Sequence, residues 1–360
     1  MEAVQDSKTI VHMVVSVPLD NAEAVFRTLA ETVGAHMERF PDGETGRRRR
    51  WISFINDQLK ANPDLEIDAE VPIFEFKQWD GTVVFAVERL KIKDSVEAKD
   101  VVYETGYADD AIRNFEIFAR LQAEGAVPGH VKYQICMATP LAIAYNFISP
   151  NNYDGFIPAY TNHLAAEFAR IAENLPAEQI SYQWDVCQEV LMWEGYYEQY
   201  PGFQDHIFAV LGGLGDMVPA AIDVGYHLCY GSPADEHMVQ PKDMAILVEI
   251  ANGIAKAVSR PVQYIHLPVP VDRGDDAYFE PLSELRLGPG TDLYLGLVHD
   301  GDGPGNAQKL AAARRFARVA GIAAECGVGR IKNPETLPSI LEEHRRLAQA
   351  QPHPPIGNAQ

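Results

Sequence analysis

The chain has 360 residues, 47% of them hydrophobic and 22% charged, the composition of a folded soluble protein with ample apolar material for a large core. The 30 basic residues against 51 acidic ones leave a net charge of −21, which repels phosphate backbones and excludes nucleic acid as a partner; the one basic run, Arg47 to Arg50, is too short to reverse that field. No stretch of about 18 apolar residues occurs, and the N-terminal MEAVQDSKTIVHMVV lacks the basic region, apolar core and cleavage site of a signal peptide, so no membrane partner and a cytoplasmic location are expected.

Short β-rich runs alternate with amphipathic helical runs, the pattern of a parallel sheet with crossover helices. In chain order, strands are expected at 10–17, 36–41, 131–136, 180–186, 223–229, 262–267, 293–298 and 321–326. Helices are expected at 22–33, 109–124, 160–174, 241–258 and 307–319; in the third, apolar residues at 164, 165, 168, 171 and 172 form one face. Residues 69–93 alternate around Asp80-Gly81 and read as a β-hairpin inserted between the second and third strands. Together these elements predict an α/β fold, a single (β/α)8 TIM barrel over residues 1–348, with a loosely ordered tail at 349–360 rich in Pro, Gln and Gly. An open doubly wound sheet is the alternative, but no Gly-x-Gly-x-x-Gly turn follows the first strand.

In such a barrel, functional groups sit at the C-terminal ends of the strands. Those ends carry Ser16, Asp42 with Glu44, Asp185, His227 with Cys229, His266, His299 and Cys326. His227-x-Cys229 is the sharpest of these. On a strand, residues i and i+2 point to one side, so an imidazole and a thiolate can reach one ion. Cys326 at a neighbouring strand end adds a second thiolate, and two Cys with one His suit a catalytic zinc with a position left open. The structural alternative is a pair of residues in a buried strand. Cys136 and Cys187 are read as small buried hydrophobes, and no disulfide framework is expected.

The islands VVSVP, DGETGRR, YQWDV, HLCYG and ECGVGR, in this order, resemble the C-terminal catalytic barrel of cobalamin-independent methionine synthase, in the superfamily that includes uroporphyrinogen decarboxylase. HLCYG is similar to that family's His-x-Cys zinc motif, and ECGVGR to the segment that brings its later zinc cysteine. The resemblance spans roughly residues 10–347 and implies that His227, Cys229 and Cys326 bind zinc. It implies that Ser16 holds the carboxylate of an amino-acid-like thiol, that Glu44 and Asp185 hold its ammonium group, and that His299 sits near the reacting centre. For Glu44 and Asp185 the structural alternative is a rim salt bridge or helix cap. Where the family has a zinc-binding glutamate at the end of strand six, this chain has His266, either a fourth ligand or a pocket wall. The Glu-Pro after the family's strand-four acid is replaced by Val186-Cys187.

The expected function is a zinc-dependent methyl or alkyl transferase that activates a substrate thiol as a zinc thiolate, with His299 and Asp185 catalytic and His299 or Asp300 protonating the leaving group. The partners are a small-molecule thiol and an alkyl donor. A folate or a corrinoid methyl donor is the candidate co-substrate, because the 360 residues hold no counterpart of the family's second, folate-binding barrel. A homo-oligomer and a corrinoid protein partner stay open. The competing readings are a metal-free lyase or decarboxylase of the same superfamily and a non-catalytic zinc- or thiol-binding barrel. Asp272 to Glu280 is read as a solvated loop or a lid, and Trp51, Tyr145, Trp184 and Trp193 as pocket lining or core.

Overall fold

In the computed structural model, which describes residues 9–350, eight parallel strands form one curled sheet. They are β1 (Ile10–Val11), β2 (Arg39–Pro41), β3 (Lys132–Ala138), β4 (Ile180–Val186), β5 (Asp223–Leu228), β6 (Tyr264–Pro268), β7 (Asp292–Gly296) and β8 (Gly321–Ala323). Their order is β1-β8-β7-β6-β5-β4-β3-β2. Beyond the two edge strands the chain comes together again: Ser16 bridges Gly43, and the Val17 N–H donates to the Gly43 carbonyl at 3.0 Å. Gly43 has φ +78°, and a Cβ there would lie 2.7 Å from Val25, so the seam accepts only glycine. The curl and the element order are those of a TIM-barrel-like α/β fold.

Amphipathic helices cover the sheet. Ala22–Thr32 starts at Asn21, whose side chain accepts the Ala24 N–H, and buries Val25, Phe26 and Leu29. Tyr107–Ala123, Tyr153–Asn174, Ala245–Ala257 and Gly303–Ala313 lie over or extend the expected helices. Phe203–Met217 was not anticipated. Three glycines in its last turns weaken the helical pattern, yet one of them, Gly215, lies so close to β5 that a Cβ would fall 2.5 Å from the Tyr226 hydroxyl. Leu337–Gln349 ends the described chain; of the expected tail, residues 351–360 lie outside the described residues.

Two differences from the expected strands have physical causes. The first strand stops at Val11 instead of reaching residue 17. The Met13 and Val14 carbonyls accept hydrogen bonds from the Gln134 and Gln183 side-chain amides (2.8–3.2 Å) rather than from a neighbouring strand. The last strand stops at Ala323, which leaves Cys326 in the turn that follows. Between β2 and β3, Phe74–Lys77 pairs antiparallel with Val83–Val87, and Leu65–Ile67 with Leu90–Ile92. Phe76 is buried and stacks on Phe85 at 4.3 Å.

Glu189, in the short helix Gln188–Trp193 after β4, is fully buried and accepts a hydrogen bond from Thr139. Burial pushes its carboxyl up from the ordinary 4.5 to about 7, against the Thr139 bond. The folded state therefore holds this proton more tightly than the unfolded chain. The stability it contributes is complete below pH 4.5 and is lost as pH rises through 7. Glu189→Gln is expected to remove about 3 kcal/mol of stability loss between these limits, measured as a flatter series of urea-unfolding free energies from pH 4.5 to 8.

Candidate metal and substrate site

Strand register brings the polar residues together. Asp185 on β4 pairs with His227 on β5, and His227 pairs with His266 on β6, so three neighbouring strands present these side chains at one level. The Cys229 N–H continues the ladder to the Val186 carbonyl at 3.0 Å, and its sulfur lies 3.7 Å from the Cys326 sulfur. The ligand atoms of His227, Cys229 and Cys326 all fall within 4.8 Å of one another. Among the described residues this is the one such convergence of three His, Cys, Asp or Glu side chains.

His266 lies behind His227, outside this group. Its Nε2 donates to the Ala324 carbonyl at 3.2 Å, which leaves its Nδ1 an acceptor. Nδ1 of His227, 2.7 Å away, is then the donor, and Nε2 of His227 keeps a bare lone pair, the form that binds a metal. Burial keeps both rings neutral: His266 is pushed down to about 3, and His227 well below its ordinary value by burial and then by His266. The expectation of His266 as a ligand is corrected by this placement, since both of its nitrogens are engaged.

The thiols are protonated in this arrangement. Contact with Cys187 and then burial push the Cys229 thiol up, against Cys326; contact with Cys229 and then burial do the same to Cys326. Cys187 is thus more than packing: it lies against Cys229 and lines the same cavity. Cys136 stays in the barrel interior, beside the Gln134 amide.

A cavity of about 670 Å³ opens over the three residues, and Asp185 lines it. One Asp185 oxygen accepts from Gln183 at 2.8 Å, while the other is buried without a partner. Burial, and then the nearby Glu44, push its carboxyl well above the usual range. Glu44 lies behind it, pushed up to about 7 by burial, with Arg330 at 3.4 Å and Arg48 opposing the rise. Glu44 and Trp51 both hold positive φ, 49° and 52°, which is strained for side chains of this size. Asp42 clamps this turn: it accepts from Arg48, from Asn114 at 2.7 Å, from Tyr133 at 3.0 Å and from the Glu44 N–H at 3.1 Å. Burial alone would raise Asp42, but Arg48 and these donors hold it below its ordinary value.

Other expected residues fall elsewhere. Ser16 is buried with an unpartnered hydroxyl beneath Gly327 and Gly329, and its carbonyl accepts the Gly329 N–H at 2.9 Å. His299 donates from Nε2 to the Val269 carbonyl at 2.9 Å and lines a second cavity of about 420 Å³ with Asp300; burial lowers its pKa. The two cavities share Cys326 and Arg330. Of the expected aromatic lining, Trp51 lines the larger cavity, whereas Tyr145 and Trp184 are fully buried in packing. The segment 272–280 docks rather than hangs free: Tyr278 and Phe279 are fully buried and Asp275 caps the turn. Arg50, Arg330, Phe76 and Phe85, all on the cavity wall, carried no signal in the sequence beyond the basic run and the alternation at 69–93.

No family model matches the sequence, and no curated protein matches it. Among solved structures, the fold is similar to that of a B12-independent methionine synthase from Shewanella sp. W3-18-1 in complex with selenomethionine, with a TM-score of 0.62, 11% identity and coverage of 95% of each chain. It is also similar to a Listeria monocytogenes protein assigned as a vitamin-B12 independent methionine synthase, with a TM-score of 0.52, 14% identity and coverage of 91% of this chain and 86% of that one. At these identities the likeness is one of fold. No helix among the described residues is long and apolar enough to cross a membrane.

The Cys326 turn rests on Ser16. A Cβ on Gly327 would fall 2.2 Å from the Ser16 hydroxyl and 2.7 Å from its backbone nitrogen. Gly327→Ala is expected to destabilise the fold by about 1–3 kcal/mol, measured by urea unfolding. Gly129→Ala, whose Cβ meets nothing within 4 Å, is the control and should leave the midpoint close to that of the parent.

Proposed function

We propose that the protein is a zinc-dependent methyl or alkyl transferase, in which the metal site and the cavity above it bring a substrate thiol to an alkyl donor. The observation that carries this reading is the convergence of two sulfurs and one imidazole within 4.8 Å at the barrel mouth. Two soft sulfurs and one neutral nitrogen are a donor set that suits zinc over hard cations. Three protein ligands leave a position for substrate, and the cavity over them supplies the approach. Zinc held by His227, Cys229 and Cys326 would lower the pKa of a thiol bound beside it.

The chain's own residues bind and orient. His266 sets the tautomer of His227 through the 2.7 Å bond. The unpartnered Asp185 oxygen accepts the amino group of an amino-acid-like thiol, and an arriving ammonium reverses the upward push that burial and Glu44 impose on that carboxyl. Ser16 supports the Cys326 turn from below, and His299 holds its proton on the Val269 carbonyl. The similarity in fold to a methionine synthase solved with selenomethionine supports a thiol-derived amino acid at this mouth.

Purified full-length protein is expected to hold about one zinc per chain by elemental analysis, and to lose it in Cys229→Ser and Cys326→Ser. His266→Phe should weaken zinc binding about 10–100-fold in a chelator competition while leaving one site at saturation. Protein that holds no zinc after reconstitution overturns the proposal in favour of a metal-free enzyme. Full zinc occupancy with no alkyl transfer from any donor favours a binding protein.

A further inference from the structure

The wall of the larger cavity identifies what enters from the side opposite the metal ligands. Its apolar lining includes Trp51, Phe76, Phe85, Phe147 and Met238. Phe76 and Phe85 come from the paired strands Phe74–Lys77 and Val83–Val87, where the rings stack with planes 19° apart. A wall of aromatic faces favours a flat aromatic guest, because ring stacking adds to area burial.

Charge narrows the class. The charged side chains on this wall are Arg50, Arg330 and Asp185, and burial holds Asp185 in its neutral form. Arg330 is partly spent on Glu44 at 3.4 Å and on the Arg49 carbonyl at 3.3 Å. Arg50 is exposed and makes no hydrogen bond or ion pair among the described residues. A cationic cavity in a chain of net charge −21 selects an anion. The neighbouring cavity has the opposite character, with Asp235, Glu236, Asp300 and Glu325 on its wall. The guanidinium fork of Arg50 matches a carboxylate.

We propose that this cavity receives the alkyl donor, and that the donor is an aromatic carboxylate carrying an alkyl ether, its ring on the aromatic wall and its carboxylate on Arg50. This rests on the thiol alkyl transfer proposed above. In the reaction the substrate sulfur, as thiolate, forms a bond to the ether carbon as the carbon–oxygen bond to the ring breaks. The oxygen keeps the electron pair and leaves as a phenolate. It takes up the equivalent of the proton that the thiol gave up, so that thiol and ether become thioether and phenol with nothing else consumed. A phenol has a pKa of about 10, which makes phenolate a far better leaving group than an alkoxide.

Isothermal titration of the zinc-loaded full chain with 4-methoxybenzoate, anisole and homocysteine tests this. 4-Methoxybenzoate is expected to bind more tightly than anisole. Arg50→Ala should raise its Kd about tenfold or more, a loss of at least one charge-assisted contact, and leave anisole unchanged. Phe85→Ala should weaken both. The inference is overturned if 4-methoxybenzoate does not bind, if Arg50→Ala leaves its Kd unchanged, or if the loss in Arg50→Ala falls on homocysteine instead. Zinc content measured on the same samples separates the two ideas: full zinc without aromatic binding sinks only this one, and absent zinc sinks the transferase reading whatever the aromatic acid does.

Discussion

One hydrogen bond between two imidazoles governs the site. Because His266 gives its Nε2 proton to Ala324, its other nitrogen must accept, and His227 must donate to it. Were the direction reversed, His227 would point an N–H at the cavity and could not share a lone pair with a cation. Deep burial reinforces the arrangement, since a proton on either ring would be a charge far from water. Strand register sets it up, by placing the two histidines opposite each other on β5 and β6.

The barrel interior is unusually polar for the same purpose. Gln183 gives one amide hydrogen to Val14 and one to Asp185, and its oxygen accepts from His12 at 2.9 Å and from Tyr264 at 3.1 Å. A fully engaged amide cannot rotate. Asp185 is therefore held with one oxygen spent and the other aimed away from the network, toward the cavity. The cost falls on the first strand, whose carbonyls serve these side chains instead of a backbone ladder.

Much of this was legible in the sequence. The central strands announced themselves as apolar, β-branched and aromatic runs, and β4 occupies 180–186 as expected. The three residues that converge were visible as His-x-Cys on one strand and a cysteine ending another, because the strand period fixes which way such residues face. What escaped depends on contacts between distant segments. A histidine at a strand end does not disclose which nitrogen meets which neighbour, so ligand and support could not be told apart for His266. Cys187 reads as a buried hydrophobe until folding lays it against Cys229. Arg50 sits in a run of four arginines with identical local surroundings, yet Arg48 is locked onto Asp42 and Asp110 while Arg50 is left for the cavity.

The ring is stitched unevenly. β3 and β4 share six registered pairs, whereas the first and second strands meet only through the isolated Ser16–Gly43 bridge. A cylinder sewn this way gives first at its thinnest stitch. That stitch lies beside Glu44 on one side and under the Cys326 turn on the other. Thermal breathing of the wall is thus channelled to the part of the rim where one cysteine and one carboxyl can part together, while the β5–β6 side stays rigid.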